Sequence, residues 1–110
     1  MRSFKLSEKP TQHHLEVTVN GNKITTILIG RHYVKKHCAD INDVLILELV
    51  MALNGQSFQV DSTTDGIEYY VADIQLESNT KIYRIIWLFE GENLEVLGVI
   101  NAYRRTKKKR

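Results

Sequence analysis

The chain has 110 residues, 43% of them hydrophobic and 25% charged, which suits one packed core and leaves no room for a second. A single proline and six glycines, with that hydrophobic content, exclude collagen-like, low-complexity and wholly disordered classes. Fifteen basic and thirteen acidic residues give a net +2, yet Arg104, Arg105, Lys107, Lys108, Lys109 and Arg110 hold six of the cations, so residues 1–103 carry −4.

An acidic globule with a basic tip attracts polyanions: RNA, DNA, anionic lipid or an acidic protein face. The alternative for such a tip is a solvated tail that aids solubility. One cysteine, Cys38, cannot form an intrachain disulfide, which fits a reducing compartment. The N-terminal residues show no apolar signal-peptide core, and no apolar run approaches the ~18–20 residues of a membrane span. The expectation is a cytoplasmic protein without a membrane partner. Residues 1–12 read as a flexible leader, 13–105 as one α+β domain and 106–110 as the basic tail.

Residues 14–19 alternate apolar and polar, and β-branched residues fill 23–29. Asn20-Gly21-Asn22 between them tolerates the positive φ of a tight hairpin turn. Residues 31–38 suit a short helix. Asn42 or Asp40 then caps a second helix over 43–53, and Asn54-Gly55 stops it. That helix is apolar almost all round, with Glu48 its one charge after the first turn. Such a helix is normally enclosed by other elements.

Four strands follow, at 57–61, 67–76, 81–90 and 94–104, separated by the turns Asp65-Gly66, Glu77–Thr80 and Gly91–Asn93. Short turns between successive strands imply an antiparallel meander. The expected fold is β-β-α-α-β-β-β-β: an N-terminal β-hairpin, two helices, then a four-stranded antiparallel meander.

The chemistry-bearing residues are few. His32 and His37 lie five apart, so on a helix they diverge, and no CxxC or HxxxH accompanies Cys38; no metal site is expected. There is no GxxxxGK and no GxGxxG, so no phosphate loop and no cofactor are expected. What remains is a cationic, hydrogen-bonding set. His32 and Lys36 share one helix face. Arg84 interrupts an apolar strand, sharing a face with Ile82, Ile86 and Leu88. The last strand ends Asn101-Ala102-Tyr103-Arg104-Arg105. Pairing 81–90 with 94–104 through a three-residue loop sets Glu90 opposite Leu94, Arg84 opposite Ile100 and Tyr83 opposite Asn101, which draws the set toward one end of the sheet. Arg84 also has plain structural partners within reach in Glu68, Asp73 and Glu90.

This mixture suits metal-free RNA cleavage, in which a base takes the 2′-hydroxyl proton and cations hold the phosphorane charge. His32 titrates in the useful range. Arg84, Arg104 and Arg105 suit phosphate, and Tyr103 stacks on a base or donates a proton.

A helical His/Lys segment, then Ile41-Asn42-Asp43-Val44 and an apolar helix, then Asp65-Gly66, a strand and a final hairpin ending Val99–Arg104: this order resembles the small RelE/BrnT-type toxin domains of the barnase–colicin–RelE metal-free ribonuclease fold. The resemblance implies helices against a four-stranded meander, RNA as substrate, and a protein antidote (an antitoxin) as partner. By position it places the helical basic/His site on His32 and Lys36, the strand arginine on Arg84 and the terminal-strand polar site on Asn101 and Tyr103; together with the cationic reading this gives a catalytic set of His32, Lys36, Arg84 and Tyr103, with substrate contacts from Asn101, Arg104 and Arg105. The hairpin at 14–29 departs from that pattern. Two alternatives stand beside it: a non-catalytic interaction module, such as an inactive toxin relative or effector fragment, and a nucleic-acid-binding protein that uses the tail.

Overall fold

The computed structural model describes residues 10–30, 41–77 and 80–105. Strand β1 (Thr11–Val19) turns into β2 (Asn22–Ile29) through Asn20 and Gly21, both at positive φ (54° and 78°). Their backbone twist matches that of the flanking strands, the reason Asn-Gly makes tight hairpins. β1 begins at Thr11, inside the span read as a leader. It carries a bulge: His14 faces Thr26 but Val17 faces Ile24, so Leu15 and Glu16 share the space of one partner.

Helix α1 (Asp43–Ala52) starts at Asn42, whose side chain accepts from the Leu45 amide at 2.8 Å. That bond satisfies one of the free N–H groups of the first turn. Ile46, Leu49, Val50 and Leu53 are fully buried against the sheet. Val44 and Met51, however, are 75% and 52% exposed. The expectation of an enclosed helix is thereby corrected: one side packs, and apolar residues on the other side meet solvent.

The chain then runs through β3 (Ser62–Thr64), β4 (Ile67–Gln75), β5 (Ile82–Glu90) and β6 (Val96–Arg104). These join the hairpin in one six-stranded sheet of order β1-β2-β6-β5-β4-β3. Its neighbours are antiparallel except β2 and β6, which run parallel with Thr26 beside Val96 and Ile29 beside Val99. The expected fold is corrected accordingly. It is a six-stranded mixed sheet with one short helix among the described residues, not two helices on a four-stranded antiparallel meander. The helix expected at 31–38 lies outside the described residues. Turn chemistry reports only on strands adjacent in sequence, whereas β2 and β6 meet because α1 must lie back on the sheet and the last hairpin then closes against β2.

The strand expected at 57–61 is also corrected. After α1, residues 54–58 follow the end of β1. The Gly55 amide donates to Thr18 O at 2.7 Å, and the Asn20 amide donates to Gln56 O at 2.9 Å. Asn20 then clasps Phe58 twice, its Nδ2 donating to Phe58 O and its Oδ1 accepting from the Phe58 amide. The backbone groups that a meander strand would offer to β4 are thus partly spent on the hairpin.

Trp87 lies at the centre of the core with no exposed surface. Tyr70 stacks on it with ring centroids 5.8 Å apart, and Phe58 meets it edge-on at 5.1 Å. Its Nε1 is buried and has no hydrogen-bond partner among the described residues.

Candidate functional site

The register of the β5–β6 hairpin decides what meets Arg84. The connection is five residues long, Gly91–Glu95, not three, so Glu90 faces Val96. Leu94 enters the left-handed region there (φ 55°). A bulge follows, with Trp87 opposite Val99 but Ile86 opposite Asn101, leaving Ile100 as the extra residue. The two effects move Arg84 from the expected Ile100 to Tyr103 and Tyr83 from Asn101 to Arg104. A shift of three is odd, so it also changes which residues share a face: Tyr103 comes directly across from Arg84.

On the other side Arg84 faces Asp73 of β4. Three neighbouring strands thus present Asp73, Arg84 and Tyr103 in one row. The row faces away from α1, because Ile85 and Ala102, their neighbours in sequence, are buried in the helix-side core. Arg84 grips Asp73 with two bonds, Nε to Oδ1 at 2.8 Å and NH2 to Oδ2 at 3.1 Å. This forked geometry is what guanidinium and carboxylate share. Arg105 adds a third bond to Asp73 Oδ2 at 2.8 Å. Asp73 first and Tyr103 second push the Arg84 pKa further up. Hydrogen bonding to Arg84 holds the Asp73 carboxyl below its ordinary value, against an opposing effect of burial and with help from Arg105.

One carboxylate therefore organises two guanidiniums. Arg104 is exposed and belongs, by alternation, to the opposite face. Asn101 acts within its own strand, where its Oδ1 accepts from the Ala102 amide at 2.9 Å, next to the bulge. His32 and Lys36 lie outside the described residues. The described geometry thus unites Arg84, Tyr103 and Arg105 with Asp73, the partner that proximity along the strands already offered.

Two further features had no signal in the sequence. His13 Nε2 and Thr11 Oγ1 both reach Asp43 Oδ2, at 3.1 and 2.7 Å, tying β1 to the first turn of α1 across about thirty residues of chain. At the other end of the sheet, Gly66, Glu68, Tyr70, Phe89, Glu90 and Leu94 surround a cavity of about 290 Å³. Tyr70 is 8% exposed, meets Phe89 edge-on at 5.1 Å, and has its hydroxyl 3.5 Å from Glu68 Oε1. Burial, then the Glu68 charge, pushes the Tyr70 phenol up.

Among the described residues no three His, Cys, Asp or Glu side chains come together to hold a metal ion. No described helix is long and apolar enough to cross a membrane. No family model, curated protein or solved structure matches the chain.

Proposed function

We propose that the protein is a small single-stranded-RNA-binding domain that grips the phosphate backbone with Arg104, Arg105 and the basic residues 107–110, at the sheet end where Arg84 and Tyr103 stand. The observation that carries this reading is the sharing of Asp73 by Arg84 and Arg105. Paired one to one, two arginines would need two carboxylates; with a single shared one, the cluster keeps a net positive charge and holds its donors in fixed directions. Tyr103 stands beside them as a ring on which an unpaired base can stack. Four further cations follow Thr106 in sequence.

Metal-free cleavage with a protein antidote is the stricter form of this reading and needs His32 and Lys36 as acid and base. Binding needs neither. The non-catalytic interaction module is the remaining rival, and it predicts no RNA affinity.

Titrating one labelled single-stranded RNA at several salt concentrations tests the reading. Six phosphate contacts from Arg104, Arg105 and residues 107–110 give a slope of log K against log salt of about −4, at roughly −0.7 per contact. Deleting residues 106–110 should bring it to about −1.4. Affinity should fall almost equally for all sequences, because phosphate contacts carry no base readout. An unchanged slope eliminates the tail's part. Incubating RNA with the protein in EDTA separates the two forms: 2′,3′-cyclic phosphate ends mean cleavage, and intact RNA means binding alone.

A further inference from the structure

The cavity at the far end of the sheet has the chemistry of a receptor for cations. Its walls are the rings of Tyr70 and Phe89, and Glu68 and Glu90 supply carboxylates. Around it the turn 65–68 and the connection 90–95 carry Asp65, Glu68, Glu90, Glu92 and Glu95, five acids against Lys23, which follows the lining residue Asn22. An aromatic face beside a carboxylate favours an ammonium or guanidinium on two counts, through the ring quadrupole and through direct charge. The same fields repel phosphate, so this is not a second RNA contact. At about 290 Å³ the cavity lies at the lower limit of small-molecule sites, a size suited to one long basic side chain and part of the next.

We propose that this cavity binds the basic segment 104–110 of a second copy of the chain. Charge complementarity and topology together select this occupant. β6 carries Arg104 to the end of the sheet opposite Glu90, since it runs antiparallel to β5 and sets Arg104 beside Tyr83. The nine residues of β5 separate the two ends by about 26 Å. Residues 106–110 span at most about 18 Å when fully extended, so their backbone does not bridge that length within one molecule. Between copies no such limit exists. The contact is heterologous, one copy's basic end meeting the next copy's acidic cavity, so copies add head to tail. Because RNA and the cavity compete for the same cations, bound RNA releases the assembly. The competition rests on the RNA reading; the cavity itself does not.

Two variants separate the partners. E68Q/E90Q keeps the basic segment and weakens the cavity; deletion of residues 106–110 keeps the cavity and removes most of the segment. In sedimentation at low salt the full chain should self-associate with rising concentration, and each variant alone should remain largely monomeric. Mixed, the two variants should form a one-to-one pair, because one supplies the segment and the other the cavity. Glu68→Gln alone should weaken association about fivefold and Phe89→Leu about threefold. Trp87, stacked on Tyr70, reports occupancy by fluorescence and, through an unchanged spectrum of each free variant, intact folding. A full chain that stays monomeric at every concentration overturns the proposal. So does a mixture that fails to pair, or continued self-association of both variants. E68Q/E90Q should retain wild-type RNA affinity; loss of RNA binding in the full chain would sink the RNA reading while leaving the pairing result to stand or fall separately.

Discussion

The two ends of the sheet are built from the same three strands yet differ in sign and in order. At one end Lys81, Arg84, Arg104 and Arg105 stand with Asp73 and Glu77; at the other, Asp65, Glu68, Glu90, Glu92 and Glu95 cluster in turns, with Lys23 at the start of β2 beside them. At the basic end the charges are organised by ion pairs between strands. At the acidic end two of them, Glu68 and Glu90, line a cavity walled by aromatic rings. The antiparallel course of β4, β5 and β6 explains how both arise. Turns alternate between the ends, so residues near in sequence at Asp65–Glu68 and Glu90–Glu95 collect at one end while Asp73, Arg84 and Arg105 collect at the other. A nearly neutral protein can thus carry two opposed surfaces, which the net charge conceals.

Trp87 lies between the ends, and its loss should have the largest effect. Trp87→Ala removes the ring against which Tyr70 and Phe58 pack and should cost about 3–5 kcal/mol. Chemical denaturation checks this. If the ends are independent, a partly folded state should then appear in which Tyr103 and Tyr70 lose structure at different denaturant concentrations; a single transition shows that the core couples them.

The acidic end is sharpened by Gly91→Ala. Gly91 sits at φ +94°, and a methyl group there would lie 2.5 Å from the Glu95 carboxylate, which already accepts from the Asn93 amide at 3.0 Å. The expected cost is about 1–3 kcal/mol. Gly21→Ala, also at positive φ but in open space, should cost about 1 kcal/mol. Equal losses at the two positions would mean that the carboxylate packing contributes nothing.

The smallest effect distinguishes the ends by pH. Asp73 is lowered from 3.8 by Arg84, so its contribution is complete above that value and is lost as pH falls through the lower folded pKa. It is worth under about 1 kcal/mol, since the pair is well exposed. The stability gap between wild type and Asp73→Asn should therefore be constant at neutral pH and close below pH 3.8. Tyr70 is raised from 10.0, so the folded protein keeps a proton that the unfolded chain gives up. Stability should fall as pH rises above that value, and Tyr70→Phe should remove this dependence. Urea midpoints measured across pH check both. An alkaline loss that survives Tyr70→Phe would place its origin elsewhere.

Much of the local structure was legible from particular residues. Asn20-Gly21 marked the hairpin, Asn42 or Asp40 the start of α1, and Asp65-Gly66 the turn into β4, because each depends on a side chain or a positive φ within a few residues; of the two caps the structure uses Asn42. Arg84 stood out as a charge in an apolar strand, and Asp73 was among its possible partners. The neighbour across β6 was not legible: the five-residue connection with Leu94 at positive φ and the bulge at Ile100 moved Tyr103 into place, and leucine carries no turn signal. The strand expected at 57–61 failed for a related reason, since Asn20 claims the backbone of Phe58 from thirty-eight residues away.

By itself the sequence determined the alternation of each strand, the cap of the helix, the hairpin turn and the concentration of cations beyond Tyr103, all of which follow from neighbours along the chain. Only the tertiary structure decided that β6 closes in parallel against β2, that α1 packs with one side and exposes the other, and that five scattered acids share one end with Tyr70 and Phe89. Those outcomes depend on which distant surfaces are buried together, and hydrophobic burial is non-directional: it demands that Trp87, Ile46 and Leu97 be covered, without specifying in the linear order which residues cover them.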